Sequence, residues 1–90
     1  MGNPVRSALH SPDPIARTIG KLCVGGDWAC AHGDLEALSD IAERLAGCTP
    51  EPLHGELEGL SALCHSDPDH ATATWVRLKK QVLRSVPLPS

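Results

Sequence analysis

The sequence predicts an all-α fold, four antiparallel helices arranged as two helical hairpins. Three observations carry this. Apolar residues recur three and four positions apart through most of the chain, the period of a helix with one buried face. There is no Phe and no Tyr, the two tryptophans are the only aromatics, and Ala, Leu and Glu are plentiful, a composition that favours helix over sheet. The pair Asp-Pro occurs at Asp13-Pro14 and again at Asp67-Pro68. Each sets a capping carboxylate before a proline at the first helical position, where the missing N–H is not needed. At 90 residues the chain is expected to form one domain with a single modest core. Residues 1–12 read as a flexible N-terminal tail, 13–86 as the helical domain and 87–90 as a C-terminal tail.

The first helix opens at Asp13. Ile15, Ile19, Leu22, Gly26 and Ala29 form one stripe, and Ile19, Cys23, Gly26 and Cys30 an adjoining one. The stripes cross Gly25-Gly26, a pair that costs a helix about 2 kcal/mol relative to alanine. Their continuity predicts a helix running to about Ala31, with at least one glycine at a close-packing position and the turn at His32-Gly33-Asp34. The second helix, DLEALSDIAERLAG, is capped by Asp34 and stopped by Gly47, with Leu35, Leu38, Ile41, Ala42 and Leu45 on one face. Asp40 and Arg44, four apart, should attract. The third helix is expected to open at Thr49, with Pro50 and Pro52 in its first turn and Leu53, Leu57, Leu60 and Cys64 as its buried stripe. The fourth opens at Asp67-Pro68 and buries Ala71, Trp75, Leu78 and Val82. In a chain so poor in aromatics, both Trp28 and Trp75 are expected in the core.

The formal net charge is -3, and Arg77, Lys79, Lys80 and Arg84 make a small basic cluster at the expected end of the last helix. Its position suits the helix dipole better than phosphate binding, so no nucleic-acid partner is expected. No apolar run reaches the 18 residues of a membrane span, and MGNPVRSALHSP lacks the apolar core of a secretory signal. Arg6 stands where a myristoylation motif wants Ser or Thr. A cytoplasmic location is expected, with the four cysteines as thiols.

Laid against itself, the chain shows coincidences at an offset of 34: Gly25 with Gly59, Cys30 with Cys64, Ala37 with Ala71, and Ile41 with Trp75. Val24-Gly25 followed by Trp28, then Ala37-x3-Ile41, and in the second copy Gly59, Ala62 and Ala71-x3-Trp75, resemble the tetratricopeptide repeat over residues 18 to 84. Gly33-Asp34 falls one residue late for the family's turn, and Lys21 stands where Trp is common. The resemblance implies two stacked hairpins with a shallow groove lined by the first helix of each, residues 18 to 31 and 52 to 64. Lys21, Asp27, His54 and Glu56 are then the rim residues. A plain four-helix bundle of the same helices is the other architecture this pattern allows.

The Cys and His residues suggest one chemistry. Cys30, His32, Cys64 and His65 could supply four zinc ligands if two helix ends met. No Cys-x2-Cys or His-x3-His pair is present, and buried inert thiols are the simpler account. Cys23 and Cys30 lie about 10 Å apart along a continuous helix, too far for a disulfide. His32 near Asp34, and Asp69 beside His70, are the acid–base candidates, and neither sits in a recognisable catalytic motif. The chain is therefore expected to be no enzyme and to need no cofactor or small-molecule substrate. It reads as an interaction module, similar in layout to adaptors and to bacterial secretion chaperones, that binds another protein or a second copy of itself. A zinc- or thiol-based regulator is the alternative, and a subunit of an enzyme complex the third.

Overall fold

The computed structural model describes residues 4–85. Its elements are α1 (Pro4–Leu9), α2 (Pro14–His32), α3 (Leu35–Ala46), α4 (Leu53–Ser66) and α5 (Pro68–Ser85), and no strand occurs among the described residues. The fold is all-α. The four longer helices are joined by short turns and so alternate in direction. Neighbours in sequence pack together, and α5 returns to α2, so that α2 through α5 close a four-helix ring.

Local chemistry explains most of the boundaries. Asp13 caps α2 by accepting the Ile15 N–H at 2.9 Å, with Pro14 in the first turn. α2 then runs unbroken through Gly25-Gly26 to His32, where Gly33 adopts a left-handed φ of 66° and its N–H caps the last carbonyls. Asp34 accepts the Ala37 N–H at 3.1 Å and starts α3. Asp67 accepts the His70 N–H at 3.2 Å and starts α5.

The third long helix starts later than expected, at Leu53 rather than Thr49. Thr49 and Glu51 each precede a proline, which disfavours helical backbone at both. The Thr49 hydroxyl instead donates back to the Leu45 carbonyl at 3.0 Å and finishes α3. The stretch read as a tail also contains an element. α1 packs on α2, and Ala8 is fully buried. The contact forms where Gly20 lets the α1 backbone approach, since a methyl there would lie 3.1 Å from the Leu9 nitrogen. The tail assigned to 87–90 lies outside the described residues.

The core runs along the ring axis. Cys23, Leu38, Leu45, Leu57, Leu60, Trp75, Leu78 and Val82 are its largest fully buried side chains. The expected stripe of α5 is buried in full, whereas α2 differs at one end: Ile15 is 59% exposed, while Ala16 and Gly20 are inside. Trp75 occupies the largest share of core space. It lies over Gly26, where an added methyl would fall 2.5 Å from its Cη2 atom. Gly26 is therefore the close-packing position on which α2 and α5 meet. Trp28 is the correction to the expected core, because it is 52% exposed. Residues two apart on a helix point about 200° apart. With Gly26 facing inward, Trp28 must face outward.

Candidate interaction surface

The outward face of α2 carries Arg17, Lys21, Val24, Trp28 and Ala31, spaced 4, 3, 4 and 3, and all five are exposed. This is the spacing of a coiled-coil seam, on a face that no other helix of the described residues covers. Its N-terminal half is cationic and its C-terminal half apolar. Trp28 is held in place by the next turn: the His32 ring stacks on it at a centroid distance of 4.2 Å, and His32 Nδ1 sits 2.8 Å from the Trp28 carbonyl. The Arg17 guanidinium reaches the Ser11 carbonyl at 3.2 Å. Val76 on α5 is the other large exposed apolar residue of the long helices beside Ile15, Val24 and Trp28.

Of the four rim residues expected from sequence, Lys21 alone stands on this face. Asp27 points to the neighbouring helix, where it accepts the Trp75 indole N–H at 3.0 Å and pairs with Lys79 at 2.9 Å. Glu56 meets Arg77 across α4 and α5 at 3.4 Å. His54 bridges helices, with Nδ1 2.6 Å from the Ala46 carbonyl and Nε2 against Glu58. The basic cluster is thus only partly terminal: Arg84 lies in the last turn of α5 as expected, whereas Arg77 and Lys79 lie further back. α5 continues to Ser85, and Arg77 and Lys79 pair with carboxylates of α4 and α2 rather than with a helix end.

A cleft lies between α3 and α4. This cleft of 370 Å³ is lined by Glu43, Ala46, Gly47, His54, Glu58 and Ser61. At its floor the buried Ser39 hydroxyl lies 2.7 Å from Ser61 Oγ, which donates to Glu43 Oε1 at 3.2 Å. Ser39 therefore acts as donor to Ser61, completing a short polar chain inside the helix pair. The Ala46 carbonyl, with Glu58 and Glu51, raises the His54 pKa above its ordinary value against a smaller opposing effect of burial. With an acceptor on each ring nitrogen, the imidazolium is the form that satisfies both. His54 is consequently turned to its own scaffold and not to the Ser61 hydroxyl.

All four cysteines are free. Burial pushes the Cys23 thiol up to about 12, and Cys30 and Cys64 are raised chiefly by burial as well. All three are held as thiols at neutral pH, the poorly nucleophilic form. Cys64 adds a smaller upward push to the Cys30 thiol, while His32 lies against Trp28 and His65 is exposed. Among the described residues no three His, Cys, Asp or Glu side chains are gathered as a metal site. Asp34 is occupied in capping α3, and His70 lies 3.8 Å from Asp67 rather than against Asp69. No helix of the described residues is long and apolar enough to cross a membrane.

Searches against protein-family models, curated proteins and solved structures find no match for this chain. The expected groove residues 18 to 31 include this face, but Trp28, expected in the core of a chain so poor in aromatics, stands on it exposed. The inward stripe Ile19, Cys23 and Gly26 already excluded position 28 from the core.

Proposed function

We propose that this chain is a small protein–protein interaction module, adaptor or chaperone-like, that receives a partner helix or extended segment along the outer face of α2. Its role on this reading is binding rather than catalysis. The supporting observation is Trp28, half exposed and flanked by exposed Val24 and Ala31 on a helix whose opposite side is fully committed to the core. Each Å² of apolar surface covered is worth about 25 cal/mol, so an ordered, half-exposed indole is a strong driving feature for association. Trp and Arg are also the residue types that dominate binding energy at protein interfaces.

A photoreactive amino acid placed at Val24, beside an intact Trp28, tests the proposal in the native cell. The expected result is a covalent protein adduct at position 24 that is absent when the same probe replaces the exposed Ala62 on α4. Equal labelling at the two positions, or none at position 24, would overturn it.

A further inference from the structure

We infer that the partner of the α2 face is a second copy of this chain, docked antiparallel across a two-fold axis level with Gly26. This rests on the reading of that face as an interaction surface. The inference follows from how the five seam residues are distributed. Arg17 and Lys21 make the N-terminal half cationic, while the C-terminal half carries the apolar residues Val24, Trp28 and Ala31. The carbonyl end of α2 at His32–Gly33 adds the negative end of the helix dipole. The face is thus complementary to itself when reversed.

Antiparallel docking at that level sets Val24 of one copy against Trp28 of the other, and Lys21 against Ala31. The apolar pair at the centre covers the two indoles. At each end, Lys21 lies beside the second copy's indole and the carbonyl terminus of its α2, and Arg17 lies just past that terminus. A cation beside an indole and near a helix C-terminus is favourable on both counts. Parallel docking would instead oppose Lys21 to Lys21 and Arg17 to Arg17, so charge selects the antiparallel arrangement. Such an interface is isologous and closes at two copies. One helix face a side is smaller than the 20 to 30 residues a side of about a standard interface, so the dimer belongs to the weak, concentration-dependent class.

Sedimentation equilibrium of the full chain over roughly 5 to 500 µM is expected to show reversible monomer–dimer exchange. Trp28→Asp should weaken association by about tenfold or more, and Lys21→Glu by about threefold or more, each with helicity unchanged. A photoreactive residue at Ala31 reports the geometry. Its expected adduct joins the peptide around Lys21 of the second copy. A chain that stays monomeric, or an adduct joining position 31 to position 31, overturns the inference. If the Ala31 and Val24 probes both capture a different protein while the chain stays monomeric, the second-copy assignment fails and the interaction reading stands. If neither probe captures anything, both fail.

Discussion

Gly26 and Gly59 are both glycines inside helices, and a methyl group added to each meets opposite surroundings. At Gly26 it collides with the Trp75 ring, while at Gly59 nothing lies within 4 Å. Alanine gains about 1 kcal/mol of helix propensity at either site. Gly26→Ala should nevertheless lower stability by about 1 to 3 kcal/mol, because a rigid indole in a full core has no room to yield. Gly59→Ala should raise it by about 0.5 to 1 kcal/mol. Urea unfolding of the two variants checks both signs, and equal shifts in the same direction would refute this account of the α2–α5 contact. The glycine pair was legible as a close-packing feature because the apolar stripes crossed it. Which glycine mattered was not, because the answer depends on a ring 49 positions later in the chain, Trp75. The offset that matched Gly25 to Gly59 pairs two sites with different neighbours: Gly25 faces the end of the Ile41 side chain, and Gly59 faces none within 4 Å.

The helices were readable wherever the backbone's unsatisfied N–H groups were met by a local side chain. Asp13, Asp34 and Asp67 each cap the helix that follows, and the Asp40–Arg44 pair forms at 2.9 Å. α4 is the exception, since Pro52 at its N-cap offers no side-chain acceptor. The first turn of α4 is met instead from one residue earlier, by Glu51 Oε2, which accepts the Gly55 N–H at 3.3 Å, and His54 adds a tertiary tie to the Ala46 carbonyl at the end of α3 while its other ring nitrogen meets Glu58 in the next turn. No local pattern announces a histidine reaching back eight positions to a carbonyl. This tie predicts a pH dependence. The folded state holds the His54 pKa above the unfolded value of about 6.5. Its contribution is therefore fully present below that unfolded value and is lost as pH rises through the higher folded one. Against His54→Gln, which cannot titrate, the wild-type chain should be relatively more stable at pH near 5.5 than above the folded pKa. Urea midpoints across that range measure it, and parallel curves for the two proteins would show that His54 holds no proton on folding's account. Glu58→Gln should shrink the same difference by removing the negative charge that favours the imidazolium.

The ring as a whole is closed by α2 meeting α5, and this was the least legible level of the structure. Periodicity and caps supply the helices and their alternation, but a two-hairpin stack and a closed ring need the same periodicity and the same caps. What closes the ring is a small polar clamp at the edge of the core. Asp27 accepts the Trp75 indole N–H and pairs with Lys79 through both carboxylate oxygens, at 3.1 and 2.9 Å. The clamp fixes the indole in the orientation that Gly26 requires. Cys23, one turn before Asp27 and fully buried, reports whether the ring is shut. Its raised pKa and zero exposure mean that an alkylating reagent reaches it only when the bundle opens, whereas part-exposed Cys48 needs no such event. Cys48 should therefore react first and Cys23 at the rate set by opening. Asp27→Ala leaves the indole N–H to water and frees Lys79, a loss of about 1 kcal/mol for a partly exposed charge-assisted contact. If opening controls access, that loss appears as a rise of about fivefold in Cys23 labelling, with Cys48 unchanged. A Cys23 rate that ignores Asp27→Ala would mean that the helices are held shut by the apolar core alone, with the clamp orienting Trp75 but contributing nothing to closure.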